Sequence, residues 1–239
     1  MKDNCQISFI VPVFNEEKSL HELYQRIARS FKDQDYEIIF VNDGSTDGSL
    51  TEINKLIRKD NKVLCVSFRN NQGKSQALMA GFKKALGETV VTLDADLQDR
   101  PEEIHKLLKT MEEGYDLVSG WKKKRRDPLM NVIFSRLGGK VIEKLGGVKI
   151  HDINCGLKVY KKELAKSLHL YGDLYRFIPL MAAADGYQVG EAEVVHDPRK
   201  YGRSKYGPSK FFRSFFDLFT VLFLNKFKSR PFHFSPFLS

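Results

Sequence analysis

Apolar and polar positions follow a repeating order over the first 120 residues of the chain. Short runs rich in valine, isoleucine and phenylalanine predict strands, and these runs begin at Ile7, Glu37, Val63, Thr89 and Tyr115. Between them, apolar residues recur every three or four positions and predict helices over 16–31, 49–59, 76–86 and 101–113. Strands that alternate with helices of this length are typical of βαβ units. The predicted fold class is therefore α/β, with a mostly parallel sheet flanked by helices.

The pattern changes after residue 120. A basic run at 122–126 is interpreted as a solvated loop. Apolar residues at helical spacing predict helices over 130–145 and 159–170, and an apolar run predicts a strand over 188–195.

Polar residues follow four of the predicted strands, at 12–16, 42–44, 69–71 and 94–96. In open α/β sheets, ligands bind beyond the carboxyl ends of the strands. Asn, Asp and Gly also populate ordinary turns, which is the alternative for any single loop. Four such loops in succession favour a binding site at one edge of the sheet.

The sequence Asp94-Ala95-Asp96-Leu97-Gln98 directly follows the fourth predicted strand. Two carboxylates in one turn can bind the same ion, and their hard oxygens suit Mg²⁺ or Mn²⁺. Gln98 offers a third oxygen. Such an ion would bridge the two phosphates of a nucleoside diphosphate and stabilise the charge of the departing diphosphate. The alternative is a chance occurrence of two aspartates in a surface loop, although the position between a strand and Pro101 favours a metal site.

The C-terminal segment, residues 197–239, differs from the rest in charge and aromatic content. It holds nine Lys and Arg against two Asp, so it carries +7 of the formal net charge of +9. A stripe of its phenylalanines has helical spacing, at positions 212, 216, 219, 223 and 227. Amphipathic helices with aromatic anchors and basic flanks are typical of a membrane interface. The alternative is a helix that packs on its own domain, and exposed phenylalanines would also permit assembly into a homo-oligomer.

Features that are missing from the sequence limit the possible location and partners of the protein. The three cysteines, Cys5, Cys65 and Cys155, form no close pair, which favours a reducing compartment. No signal peptide and no run of 18 apolar residues is recognised. We therefore expect a peripheral protein at the cytoplasmic face of an anionic membrane, unless an anchor follows residue 239. Basic charge also allows nucleic-acid binding, but no nucleic-acid motif is present, so no such partner is expected.

Four blocks of the sequence together resemble the family 2 inverting glycosyltransferases. They begin at Ile10 (IVPVFNEE), Val41 (VNDGSTD), Arg69 (RNNQGKSQA) and Leu93 (LDADLQDRPE). The last block is similar to the branch that loads polyprenyl phosphates, which includes dolichol-phosphate mannosyltransferase-like and bactoprenol glucosyltransferase-like enzymes. The resemblance covers about residues 7–210.

This resemblance implies a GT-A fold and assigns the donor site. Residues around the base and ribose would be Pro12, Val13, Glu16 and Asp43, and residues near the nucleotide and its diphosphate would be Gly73, Lys74, Asp94, Ala95, Asp96 and Gln98. A P-loop is a competing interpretation of Gly73-Lys74-Ser75. That motif requires glycine where this chain has Phe68, which makes the P-loop a minor alternative.

The acceptor side is assigned more loosely. The block His151-Asp152-Ile-Asn-Cys-Gly-Leu-Lys158 resembles one in which the family carries an acidic residue, here Asp152. A hydroxyl acceptor would need Asp152 as a general base, whereas a phosphate monoester, with a second pKa near 6, is already a nucleophile at neutral pH. Cations and a hydroxyl for a phosphate acceptor would come from Arg126, Ser135 and Arg136. A later block resembles the family's Gly-x-Ser-Lys-Tyr block, so its Arg203 and Lys205 would close over the diphosphate or the acceptor, and the alternative is a solvated basic loop. Asn131 stands where the resemblance leads one to expect arginine.

The predicted organisation is a GT-A catalytic domain over 1–196, with a nucleotide-sugar half at 1–120 and an acceptor half at 121–196, followed by the membrane-interface segment 197–239. The predicted function is transfer of a hexose from a UDP- or GDP-sugar to a polyprenyl phosphate, with inversion. One alternative is a transferase that acts on a sugar or protein hydroxyl. Another, of a different class, is a non-catalytic membrane-associated binding protein.

Overall fold

The computed structural model describes residues 5–123, 150–153, 155–198 and 200–201. Its described part contains one seven-stranded sheet, whose strands are β1 Ile7–Val13, β2 Tyr36–Asn42, β3 Val63–Ser67, β4 Thr89–Thr92, β5 Leu117–Trp121, β6 Lys158–Lys161 and β7 Val189–Glu193. The order across the sheet is β3-β2-β1-β4-β6-β5-β7. Strands β1 to β4 are mutually parallel and β5 is parallel to β7, while β6 runs antiparallel to both of its neighbours. The prediction of a mostly parallel sheet is confirmed.

Six α-helices flank this sheet in the described residues, and they are α1 Glu17–Ser30, α2 Ser49–Lys59, α3 Lys74–Lys84, α4 Ile104–Met111, α5 Lys162–Ser167 and α6 Ile178–Ala184. Three of the four predicted N-terminal helices form close to their expected bounds. The fourth begins with a 3₁₀ turn at Pro101–Glu103, because proline fits the first turn of a helix, where its missing N–H is not needed. No helix in this part of the chain is both long enough and apolar enough to span a membrane.

The predicted helix over 159–170 is wrong in its first turn. Residues Lys158–Lys161 form β6, and only Lys162–Ser167 are helical. Val159 and Tyr160 belong to residue types that favour a pleated, buried surface, and here they fill the gap between β4 and β5. A short apolar run cannot be assigned to helix or strand by periodicity alone. Helix α6 was not predicted, and the predicted helices over 130–145 and in the 197–239 segment lie outside the described residues.

Each face of the sheet carries its own apolar core. On one face, α1, α2 and α4 cover the inward side chains of β1 and β2, including Phe9 and Phe40. On the other face, α3, α5 and α6 cover Ile10, Ile39 and Tyr160. Burial on both faces explains why the strands are nearly continuous apolar runs instead of alternating ones.

Helix α3 lies close to the sheet because Gly81 has no side chain. A Cβ atom at position 81 would lie 2.2 Å from Cγ2 of Ile10, which is itself fully buried in β1. The approach brings the first residue of α3, Lys74, to the edge of the sheet where β1 and β4 end.

We predict that Gly81→Val destabilises the protein by at least about 2 kcal/mol, because overpacking a core costs about 1–3 kcal/mol and helix α3 must shift to admit the side chain. Urea unfolding followed by circular dichroism measures the change. Lys83→Val, which places the same branched side chain on an exposed position of the same helix, serves as the control. Equal stabilities of the two variants would contradict the close packing at Gly81.

Candidate functional site

The carboxyl ends of β1, β2 and β4 meet at one edge of the sheet, as the sequence predicts. Pro12 and Val13 end β1, Asn42 ends β2, and Asp94 follows β4 by two positions. The loops after these strands are the ones that carry the predicted donor-site residues. Their meeting is a consequence of parallel pairing, which aligns the ends of neighbouring strands.

The loops after β1 and β2 hold each other through side-chain hydrogen bonds. The Asn15 N–H donates to Ser45 Oγ (3.0 Å), and the Thr46 N–H donates to Asn15 Oδ1 (2.8 Å). Asn15 has φ of 55°, a left-handed conformation that asparagine tolerates. The Glu16 N–H donates to Ser49 Oγ (2.9 Å). The predicted nucleotide-binding residues 12–16 are therefore fixed to the start of α2.

Asp43 joins the loop after β2 to the start of α3. Its side chain is buried, and its two carboxylate oxygens accept from the N–H groups of Gln72 (2.7 Å) and Gly73 (3.0 Å). Gly44, with φ of 66°, lets the two loops touch, because a Cβ there would lie 2.4 Å from the carbonyl carbon of Asn70. Asp43, which the sequence predicts to contact the nucleotide, therefore also fixes the position of Lys74 at the start of α3.

The Asp94–Gln98 turn is compact and partly exposed. The Asp94 side chain is 36% exposed, and its Oδ1 accepts a hydrogen bond from the Lys74 ammonium. Asp96 is buried, and its Oδ1 accepts from the Gln98 N–H (3.1 Å). Between them, Leu97 has φ of 62°, a conformation that a leucine adopts only when its surroundings impose it. Backbone strain of this kind is typical of functional turns.

Gly156 packs directly against this turn. A Cβ at position 156 would lie 2.6 Å from Asp94 Oδ2 and 3.1 Å from Asp99 Oδ2. The absence of a side chain therefore lets the segment 155–158, which leads into β6, lie against both carboxylates. This contact brings the acceptor-side block of the sequence to the predicted metal turn.

Three lysines act electrostatically on Asp94, namely Lys74 at the start of α3, Lys122 directly after β5 and Lys158 at the start of β6. Burial alone would raise the pKa of Asp94, but the positive charge of these lysines holds that pKa below its ordinary value. Lys158 is itself buried, and burial lowers the pKa of its ammonium group. Burial likewise raises the pKa of the Cys155 thiol to about 12, so this cysteine stays protonated and is no nucleophile at neutral pH.

Lys122 corrects the expectation of a solvated basic loop. Its side chain is only 8% exposed, and its Nζ lies 2.9 Å from Oδ1 of Asp99, whose side chain is 2% exposed. His196 Nε2 lies 4.0 Å from the same oxygen. Lys123, the next residue, is exposed as expected. The first residue of the basic run therefore lies in the candidate site, because the buried Asp99 needs a counter-charge.

Asp152 is buried and belongs to the same electrostatic cluster, since the ammonium of Lys158 is influenced by both Asp152 and Asp94. The Asp152 N–H donates to Oε1 of Glu191 on β7 (2.8 Å). The remaining predicted acceptor-side residues, Arg126, Ser135, Arg136, Arg203 and Lys205, lie outside the described residues.

A cleft opens beside Asp94, and it contains residues that the sequence patterns did not single out. Its lining includes Pro12, Lys74, Asp94, Gly156, Lys158, Tyr175 and Arg176. The Tyr175 ring lies close to two cations, with Lys74 Nζ at 5.1 Å and Arg176 Cζ at 5.1 Å from its centroid. Tyr175 and Arg176 follow no recognisable motif, and only the fold of the chain brings them to the cleft.

The oxygen atoms of the Asp94–Gln98 turn suit a hard divalent cation, although Asp94 lines the cleft and Asp96 and Gln98 do not. Asp94 and Asp96 provide carboxylate oxygens from one turn, Gln98 provides an amide oxygen, and the Lys74 contact shows that Asp94 accommodates a positive charge. In the described part of the chain, no three His, Cys, Asp or Glu side chains cluster as a complete metal site. A metal at this turn would thus rely on few protein ligands, as Mg²⁺ does when substrate phosphates complete its coordination.

The sequence model of the family described as "Glycosyl transferase family 2" matches residues 8–168, which contain the whole of this turn. The chain belongs to glycosyl transferase family 2. This glycosyltransferase is 37% identical over 238 residues to the dodecaprenyl-phosphate galacturonate synthase of Rhizobium johnstonii, a match that covers 97% of this chain and 70% of the relative. It is 38% identical over 220 residues to the undecaprenyl-phosphate 4-deoxy-4-formamido-L-arabinose transferase of Proteus mirabilis, covering 91% and 68% of the two chains. The resemblance to the polyprenyl-phosphate branch is confirmed.

Solved structures confirm the GT-A fold of the glycosyltransferase. The glucosyl-3-phosphoglycerate synthase of Mycobacterium tuberculosis superposes with a TM-score of 0.67 at 20% identity, over 94% of this chain and 81% of that one. A mannosyltransferase from Pyrobaculum calidifontis, solved with GDP-Man and Mn²⁺, has a TM-score of 0.63 at 21% identity, over 84% and 59% of the two chains. At these identities, the likeness concerns the fold.

We predict that Lys122→Met destabilises this glycosyltransferase by about 3–5 kcal/mol, since removing one partner of a buried ion pair leaves the other charge uncompensated. Lys123→Met is the matched control. Lys123 pairs with Glu193 at 3.1 Å on the surface, and such pairs contribute at most about 1 kcal/mol. Urea unfolding measures the free energy of unfolding of both variants. A decrease of less than about 1 kcal/mol in Lys122→Met would contradict the buried pair.

Proposed function

We propose that the protein transfers a glycosyl residue from a UDP- or GDP-sugar to a polyprenyl phosphate at a membrane surface, with inversion at the anomeric carbon. The observation that carries this proposal is the Asp94–Gln98 turn, which packs against Gly156 and whose Asp94 lines a cleft rich in cations. The named relatives support the acceptor class, because both load sugars onto polyprenyl phosphates. Structural neighbours hold Mn²⁺ with UDP or with GDP-Man, which supports the donor class.

The donor would bind along the ends of β1, β2 and β4. In the proposal, Pro12, Val13, Glu16 and Asp43 surround the base and ribose, and Gly73 and Lys74 lie near the diphosphate. Asp94, Asp96 and Gln98 would hold Mg²⁺ or Mn²⁺ beside Ala95. When bound, the ion neutralises the charge that develops on the leaving diphosphate. Lys74 adds a positive charge at the same place, and Asp43 keeps Lys74 there by fixing the start of α3.

The acceptor phosphate would approach from the side of Asp152. A phosphate oxygen attacks the anomeric carbon opposite the diphosphate, which inverts the configuration. Since a phosphate monoester is largely ionised at neutral pH, Asp152 orients neighbouring groups and does not abstract a proton. Arg126, Ser135, Arg136, Arg203 and Lys205 are proposed to bind the acceptor phosphate. The basic, Phe-rich segment 197–239 is proposed to hold the protein at the cytoplasmic face of an anionic membrane.

Metal-dependent nucleotide binding tests the donor site directly. We predict that wild-type protein binds UDP or GDP in isothermal titration only with Mn²⁺ or Mg²⁺ present. Asp96→Ala should weaken that binding by at least about 100-fold, because even changes outside the ligand shell cost about 10–100-fold at metal sites. Asp33→Ala, at an exposed position remote from this turn, is the control. If folded wild-type protein binds neither nucleotide, the proposed transfer from a UDP- or GDP-sugar at this site is wrong.

Asp152→Asn distinguishes the two acceptor classes. We predict that kcat with a polyprenyl phosphate falls about tenfold and that the pH profile keeps its shape, since the acceptor needs no base. With a hydroxyl acceptor, kcat would instead fall about 10²–10⁴-fold and one limb of the pH profile would disappear. That second result would replace the phosphate acceptor with a hydroxyl.

A further inference from the structure

Glu191, on the edge strand β7, makes a set of contacts that the donor site does not require. Its side chain is only 7% exposed. Oε2 accepts from the His151 N–H at 2.8 Å and lies 2.9 Å from His151 Nδ1, while Oε1 accepts from the Asp152 N–H at 2.8 Å. One buried carboxylate therefore holds two consecutive backbone N–H groups and an imidazole ring.

The chemistry of this contact requires a carboxylate. A carboxylate only accepts hydrogen bonds, so each of its oxygens can face an N–H group, whereas a glutamine side chain would turn its own NH₂ toward one of them. For the same reason, Nδ1 of His151 carries a proton when it bonds to Glu191, which fixes the tautomer of the neutral ring. Charge-assisted hydrogen bonds of this type are stronger than neutral ones.

The same carboxylate also fixes an aromatic pair. The His151 ring stacks on the Trp121 ring, with centroids 4.2 Å apart and an interplanar angle of 16°. Trp121 ends β5, which pairs with β7, and its register partner there is Glu193. The pair thus lies at the end of β5, directly before the chain continues into the predicted acceptor-side stretch.

The segment from His151 to Gly156 is anchored at both ends. At its start, Glu191 holds the backbone of His151 and Asp152. At its end, Gly156 lies against the carboxylates of Asp94 and Asp99. A change at Glu191 would therefore move Asp152 relative to the Asp94 turn without touching that turn directly.

We propose that Glu191 is a positioning residue for the acceptor: it holds Asp152 and the His151–Trp121 pair at a fixed distance from the donor site. The proposal rests on the proposed function, because it names the part of that site which receives the acceptor phosphate. Glu191 acts through the backbone of residues 151–152, and it is not proposed to touch either substrate.

Trp121 provides a local probe, because it is the sole tryptophan among the 239 residues. The probe ligand is farnesyl phosphate, a short and dispersible polyprenyl phosphate, titrated into protein that is saturated with Mn²⁺ and UDP or GDP, whichever binds. We predict that Glu191→Gln raises the Kd for farnesyl phosphate about tenfold, the effect of losing a hydrogen bond to a charged group. The tryptophan emission of Glu191→Gln should also differ from that of wild type, because the His151 ring is no longer held against Trp121.

Glu193→Gln is the matched control, since Glu193 lies two residues further along β7, on the same side of the strand, and its pairing with Lys123 is exposed. It should bind farnesyl phosphate as wild type does. Nucleotide affinity with Mn²⁺, measured by calorimetry, should stay within about twofold of wild type in both variants, because the donor turn is unchanged. His151→Phe, which keeps an aromatic ring against Trp121, should retain part of the farnesyl phosphate affinity.

Several outcomes would overturn the role of Glu191. If Glu191→Gln binds farnesyl phosphate with wild-type affinity, the role of Glu191 is refuted and the proposed function is unaffected. Equal loss of nucleotide and farnesyl phosphate binding would show a general structural role instead. If Glu191→Gln fails to fold, His151→Phe and Glu191→Asp carry the test, and wild-type affinity in both refutes the proposal. A wild-type protein that binds neither nucleotide nor farnesyl phosphate overturns the proposed function together with this inference.

Discussion

The need to neutralise acidic side chains at the end of β4 governs how the elements of this protein converge. Asp94 begins the Asp94–Gln98 turn and Asp99 directly follows it, and Asp99 is almost fully buried. A buried carboxylate without a counter-charge would cost several kcal/mol. The chain meets this need with lysines from α3, from the residue after β5 and from β6. These elements are distant in sequence, so the acidic turn fixes where the helix, the edge of the sheet and the antiparallel strand meet.

The same arrangement prepares the turn for ligands of high charge. Asp94 remains ionised because the lysines stabilise its charge, and its side chain stays partly exposed while Asp96 is buried. Under the proposed function, a divalent ion and a diphosphate enter together, and their charges largely cancel. A site that is already balanced between carboxylates and ammonium groups can admit such a neutral pair without a large electrostatic penalty. An isolated metal ion or an isolated diphosphate lacks this advantage.

Much of the fold and part of the site could be predicted from the sequence, because they depend on local patterns. Apolar runs gave six of the seven strands in the described residues, all but β6, and parallel pairing requires the polar ends of β1, β2 and β4 to meet, so residues 12–16, Asp43 and Asp94 were found together. Lys122 was predicted to be exposed because runs of basic residues usually are. Its side chain is buried because it pairs with the buried Asp99. Glu191, Tyr175 and Arg176 gave no signal, since their positions at the cleft or beneath it depend on contacts between distant segments.

The segment from His151 to Gly156 connects the donor side and the acceptor side of the proposed site. Its attachment at one end uses a carboxylate that accepts three hydrogen bonds, and at the other end uses a glycine that leaves room for two carboxylates. A similar residue would disturb either attachment, since glutamine would turn its NH₂ group toward an N–H group and a Cβ at position 156 would lie 2.6 Å from Asp94 Oδ2. Transfer between two bound substrates depends on holding the reacting atoms within a narrow range of distance. The contacts of Glu191 with residues 151–152 and of Gly156 with Asp94 give Asp152 a defined position relative to Asp94, which serves that requirement.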